Sequence, residues 1–110
     1  MDDLASVFKA LGDETRLDIM ALLIRHGEMC VCDFEGVLGI SQSKSSRHLR
    51  YLLHAGLVEN RRQGVWMHYR LVKKPDERVK TILAALRRVT VGPRFEELDA
   101  RLSTWLQKKK

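Results

Sequence analysis

Cys30 and Cys32, split by Val31 and followed by Asp33, are the only cysteines in this 110-residue chain. Two thiols at that spacing can hold a soft ion as thiolates, be oxidised reversibly as a pair, or serve as small buried apolar side chains. In a reducing compartment a structural disulfide is not expected. Side chains two apart on an α-helix point about 200° from each other. Both sulfurs could therefore reach one ion only if the chain at the start of their helix stays extended or unwinds.

A second chemistry lies in the basic residues. The net charge is +6. Between Ser41 and Lys74 there are eight cations (Lys44, Arg47, Arg50, Arg61, Arg62, Arg70, Lys73, Lys74) against one acid, Glu59, a local balance of +7. The other 76 residues carry twelve basic and thirteen acidic side chains, a balance of −1. Positive charge gathered in one third of a chain is the footprint of a polyanion-binding surface, whereas charge spread evenly would only aid solubility.

The elements that must position these groups follow from the apolar spacing. Leu4, Val7, Phe8 and Leu11 predict a short helix ending near Gly12, and Asp13 caps a second that carries Leu17, Met20, Leu23 and Ile24 as far as Gly27. Asp33 is read as the N-cap of a brief third helix through Leu38. Gly39-Ile40 makes a turn, and Ser41 caps a fourth helix to about His54. The period then changes. Val58–Arg62 and Val65–Leu71 read as strands with Gln63-Gly64 at the hairpin tip, and Trp66 and Tyr69 as strand aromatics. Pro75-Asp76 opens a fifth helix, Gly92-Pro93 breaks it, and a sixth leads to the Lys108–Lys110 tail. The fold expected is mainly α with a small β-hairpin: a winged helix-turn-helix with flanking N- and C-terminal helices. One domain should span 1–110, with the helix-turn-helix at about 32–55, the wing at about 57–72 and the C-terminal helices at about 75–107.

On the fourth helix Ser45, Leu49, Leu52 and Leu53 share one face, while Ser43, Arg47, Arg50 and His54 run along the other. Such a stripe suits the major groove of double-stranded DNA. Base reading falls to Gln42, Ser43, Ser46 and Arg47, since Gln can pair with adenine and Arg with guanine. Lys44 and Arg50 are placed on phosphates. Arg61, Arg62 and Gln63 near the hairpin tip form a wing for the backbone or minor groove.

The residues Ala10-Leu11-Gly12-Asp13-Glu14-Thr15-Arg16-Leu17, Ser41-Gln42, Ser46-Arg47-His48-Leu49, Ala55-Gly56-Leu57-Val58 and Tyr69-Arg70-Leu71 occur in one order over roughly residues 4 to 72. In these motifs the chain resembles the arsenical-resistance repressor (ArsR) family of metal- and metalloid-responsive winged-helix proteins. The resemblance implies a repressor bound to operator DNA as a homodimer through its first and last helices, which here carry Leu4, Phe8, Leu98, Leu102 and Trp105. It also implies that Cys30 and Cys32, in a Cys-Val-Cys-Asp box, bind arsenite or antimonite as the releasing effector, with no obligatory cofactor. The chain departs from the family at Glu35, where the box often has a third cysteine. That leaves two thiolates plus hydroxide, a small thiol or a weak carboxylate. A soft divalent ion, reversible thiol oxidation and an effector-independent DNA binder with inert cysteines therefore stay open. The family's second site, a zinc site on the fifth helix, lacks its histidines between Pro75 and Val89. His26 and His54 are expected at the surface, and His48 and His68 partly packed.

An enzyme is not expected, because no phosphate-binding Gly loop, metalloprotease box or nucleophile elbow is present. Met1-Asp2-Asp3 lacks the basic and apolar stretches of a signal peptide, and the longest apolar run, Ile19–Ile24, cannot span a bilayer. A cytoplasmic protein that does not enter membranes is the expectation.

Overall fold

The computed structural model describes residues 3–109, leaving Met1, Asp2 and the last lysine of the tail, Lys110, outside. The chain runs α1 (Leu4–Leu11), α2 (Glu14–His26), β1 (Met29–Cys30), α3 (Val31–Leu38), α4 (Gln42–His54), β2 (Val58–Gln63), β3 (Trp66–Leu71), α5 (Glu77–Val89) and α6 (Pro93–Lys109). It is a winged helix-turn-helix: six helices and a small antiparallel sheet.

Short polar side chains start the helices by taking up free N–H groups. The Asp13 carboxylate accepts from Arg16 N at 3.0 Å, Ser41 Oγ from Lys44 N at 3.1 Å, and Asp76 from Val79 N at 2.9 Å. Helix α2 is the centre of the molecule; its Ile19, Met20, Leu22 and Leu23 are fully enclosed. Phe34 of α3, Leu49 and Leu52 of α4, Leu57 just before β2, and Leu102 of α6 close around it. Between α3 and α4 the chain reverses at Gly39, whose φ of 68° lies in the left-handed region that glycine enters without a Cβ clash.

Three features differ from the sequence expectations. Helix α3 begins at Val31 with Cys30 as its N-cap, and Asp33 is not the cap but the third helical residue, its side chain reaching back to the Cys30 amide. The hairpin turn is Gly64-Val65, since Gln63 pairs with Trp66 across the strands. Finally, Met29 and Cys30 form a third strand, against β3 on the side away from β2. Two residues are too few to show a strand period.

Helix α6 folds back on its own chain. Leu98 and Leu102 are 4% and 1% exposed. Trp105 lies flat on α3 at Gly36, where a Cβ would come within 2.5 Å of the indole. Arg94 grips Asp18 of α2 with two bonds of 2.9 and 2.8 Å, and Arg25 pairs with Asp99 at 3.1 Å. Of the five apolar residues expected to face a second copy, Leu98, Leu102 and Trp105 are spent inside the protomer. Leu4 and Phe8 of α1 remain open, at 39% and 58% exposure. Among the described residues no helix is long and apolar enough to cross a membrane.

Candidate DNA-reading surface and thiol site

The inner face of α4 is buried at Ser45, Leu49 and Leu52, which turns Gln42, Ser43, Lys44, Arg47 and Arg50 to solvent; Ser46 is half-buried at the edge of that row. Behind them, Arg16 of α2 braces the helix. Its guanidinium lies 4.0 Å from the centre of the Tyr51 ring, its Nε donates to Ala10 O at 2.6 Å, and a terminal nitrogen lies 3.3 Å from His48 Nδ1. Arginine can only donate, so Nδ1 must accept. Burial lowers the His48 pKa, outweighing the attraction of Asp13, and keeps the ring neutral as that bond requires. Arg16, which carries no signal in helical spacing, thus braces α4 against α2.

The wing divides into two faces. Val58 and Tyr69 point to the core. On the outer face the register sets Arg61 opposite His68 and Glu59 opposite Arg70. Arg70 bonds Glu59 at 2.8 Å and Glu28 at 3.3 Å, while Arg61 meets Glu28 at 2.6 Å. Glu28 comes from outside the basic segment, and its Arg61 hydrogen bond holds the carboxyl below its usual range, so it is ionised. Hence Arg61 and Arg70 are offset within the fold. Arg62 and Gln63 are exposed near the tip, beside Val65 and Trp66, at 81% and 55% exposure.

The two cysteines meet. Cys30, at φ −76° and ψ 153°, is extended and outside the helix, so the divergence of side chains two apart on a helix does not apply to it. Cys32 Sγ donates to Cys30 Sγ at 3.0 Å, and the Cys32 amide is capped by the same sulfur at 3.4 Å. No unwinding is needed to bring the thiols together; the extended start is already present. Cys30 is buried and Cys32 half-buried. Burial, with the hydrogen bond to Cys30, pushes the Cys32 thiol up to about 11.

Asp33 organises this site. One oxygen accepts from Cys30 N at 2.9 Å; the other accepts from Trp105 Nε1 at 2.9 Å and Lys109 Nζ at 2.5 Å. Burial raises the carboxyl pKa, but the ammonium, indole and amide together outweigh it and hold the group below its usual range. Two thiols side by side suit a thiophilic ion by donor type. Among the described residues no three His, Cys, Asp or Glu side chains gather to hold a metal ion, so Glu35 does not complete a set. His26 and His54 are exposed, and His48 and His68 half-buried.

Comparison with known proteins places these features. The family model described as "Bacterial regulatory protein, arsR family" matches residues 13–60. The arsenical resistance operon repressor of Escherichia coli is 55% identical over 65 residues, which is 59% of this chain and 56% of that protein, so the match spans little more than half of that relative. The arsenical resistance operon repressor of Bacillus subtilis is 43% identical over 70% of each chain. Among solved structures, the homodimeric winged helix-turn-helix domain of Mb0332 from Mycobacterium bovis, described as a possible ArsR-family regulator, superposes with a TM-score of 0.66 at 34% identity, covering 79% of this chain and 77% of that one.

Replacing Asp33 tests the clamp. In the unfolded chain the carboxyl titrates near ~3.9 and in the fold lower, so its stabilisation is complete above that value and is lost as pH falls through the folded one. Asp33→Asn is expected to cost about 1–3 kcal/mol at pH 7 and to flatten the acid limb of stability. Denaturant melts at neutral and acid pH, followed by circular dichroism, would show an unchanged acid limb if Asp33 were not the group responsible.

Proposed function

The chain belongs to the arsR family of bacterial regulatory proteins, and from that premise we propose that it is a homodimeric, sequence-specific DNA-binding repressor released from its operator when trivalent arsenic or antimony bonds Cys30 and Cys32. The observation that carries the reading is the sulfur pair, 3.0 Å apart at the N-cap of the helix that packs on the reading helix. The relatives named for arsenical resistance support the effector class. The homodimeric neighbour, with Leu4 and Phe8 left open on α1, supports the dimer.

The mechanism follows from the cap. Cys30 Sγ holds the first turn of α3 by accepting the Cys32 amide. A ligand shared by both sulfurs pulls that atom from its capping place and shifts the start of α3. Helix α3 packs on α4, so the spacing of two reading helices in a dimer changes, and an effector favouring the shifted form lowers operator affinity. In this scheme Gln42, Ser43, Ser46 and Arg47 read base edges, while Lys44, Arg50, Arg61, Arg62 and Gln63 hold the backbone. The protein occupies operator DNA and turns over no substrate.

Fluorescence anisotropy on a palindromic operator tests the effector. Arsenite or antimonite should release the native protein, and Cys30→Ser and Cys32→Ser should each abolish release; full response in both variants would overturn the site. The sulfur contact favours a second reading as well. A peroxide could take two electrons and two protons from the thiols, leaving a disulfide and water, and release that reverses with reductant would select it.

The pH dependence separates a metalloid from a soft divalent ion. Trivalent arsenic in neutral water is the trihydroxide. Each As–S bond forms as an As–O bond breaks, and the thiol proton leaves with the hydroxide as water, with no net proton release. A divalent cation must instead expel thiol protons into solution, the Cys32 proton among them, so its affinity should climb at least about tenfold per pH unit below the Cys32 value of about 11. Arsenite affinity is expected to stay level across neutral pH by calorimetry; a tenfold rise per unit would contradict the metalloid assignment.

The two parts of the DNA surface should also separate. Arg47→Ala should erase the preference for operator over random duplex, by about 1–3 kcal/mol. Arg62→Ala should weaken both equally and reduce the slope of log K against log salt by about 1. Titrations at several salt concentrations read both, and an operator preference surviving in Arg47→Ala would remove that residue from base reading.

A further inference from the structure

Glu28 belongs neither to the thiol pair nor to the basic segment, yet it touches both of their surroundings. It stands two residues before Cys30, so both side chains leave the chain on one side. In the sheet Cys30 is opposite His68, and His68 is opposite Arg61. The Glu28 carboxylate meets Arg61 at 2.6 Å, Arg70 at 3.3 Å and His68 Nδ1 at 3.7 Å, with three quarters of its side chain covered. Arg70 passes the contact on to Glu59 at 2.8 Å, and Glu59 takes the Lys73 amide at 3.2 Å. One carboxylate thus ties both strands of the wing to the dipeptide that ends in the capping cysteine.

We infer that Glu28 is a positioning residue that couples the cysteine pair to the wing, so that ligation of Cys30 relocates Arg61 as well as the reading helix. This rests on the proposed reading of Cys30 and Cys32 as the effector site. The strand β1 has only two residues, and so few backbone bonds hold it to β3. The Glu28 ion cluster adds to that attachment, beside the buried Met29. When Cys30 leaves its cap, Glu28 moves with it, because a single extended residue lies between them. Arg61 is held to this carboxylate at 2.6 Å, so a displaced Glu28 takes the guanidinium out of its place on the wing. The effector then acts on two DNA-contacting elements through two routes: α3 to α4, and β1 to the wing.

The test uses the 110-residue chain labelled with 5-fluorotryptophan, and a dithiol-bridging reagent, phenylarsine oxide, that joins both sulfurs whatever the natural effector. Trp66 lies on the same strand face as His68, two residues before it, and the only other tryptophan is Trp105. Trp66→Phe assigns the two fluorine resonances. Phenylarsine oxide should shift the Trp66 resonance in the native protein, and the shift should vanish in Glu28→Gln although both thiols are still consumed. The ratio of operator affinities without and with reagent, about tenfold or more in the native protein, should be smaller in the variant but stay above unity, because the route from α3 to α4 is intact. Arg61→Gln breaks the same contact from the wing side and carries the test if Glu28→Gln does not fold. A Trp66 shift persisting in either variant overturns the inference, as does a silent Trp66 in the native protein with both thiols bridged. A native protein that ignores arsenite while phenylarsine oxide still moves Trp66 sinks the effector assignment and upholds the coupling.

Discussion

The carboxylate of Asp33 is the constraint on which the arrangement around α3 depends. A buried anion must be met by donors, or it costs several kcal/mol. Here the donors come from two places: the backbone of Cys30, and the indole and ammonium near the end of α6. One side chain therefore starts α3, docks α6 and fixes the backbone of the residue that carries the first sulfur. A thiol is a weak acceptor compared with the hydroxyls and carboxylates that usually cap helices. The sulfur is consequently the weaker hold on the first turn, and a change of partner at Cys30 can shift that turn while the Asp33 bond keeps α3 from unwinding.

Charge counted along the chain is not the charge a ligand meets. The basic third of the sequence has one acid of its own, but folding delivers Glu28 to its centre, and Arg61 and Arg70 are compensated there. Of the other six cations, Lys44, Arg47 and Arg50 lie on the outward side of α4, Arg62 near the hairpin tip, and Lys73 and Lys74 just past β3. The field is narrower than the sum suggested and lies largely along α4. Arg16 adds rigidity from behind. Stacked on Tyr51 and bonded to a neutral His48, it holds α4 to α2 without adding charge to the outward row.

Much of this was legible in the residues. Apolar spacing placed the helices, the Ser41 cap and the faces of α4, because these depend on local geometry that repeats along the chain. The features that were missed depend on contacts between segments. Asp33 read as a cap because its residue type favours that role, and only the extended Cys30 shows that it bonds backward from inside the helix. Helical geometry required an extended or unwound start for the thiols to meet, and only the contacts of Cys30 show that the start is extended. Leu98, Leu102 and Trp105 formed a clear apolar stripe, but periodicity does not say whether its partner is the same chain, and Gly36 turned out to be the seat of the indole. Glu28 had no signal at all, since a two-residue strand has no period.

The strand order also bears on solubility. In the order β1-β3-β2, the hairpin's first strand has a free edge, a row of amide and carbonyl groups able to accept a strand from another molecule. That strand reads Val58-Glu59-Asn60-Arg61-Arg62-Gln63, polar after its first residue and with two adjacent arginines where the edge is most open. Two copies approaching edge to edge would set like charges against each other. The cations that suit a polyanion therefore also keep the wings of neighbouring molecules from joining into a continuous sheet, and a neutral wing would carry an aggregation risk quite apart from any loss of binding.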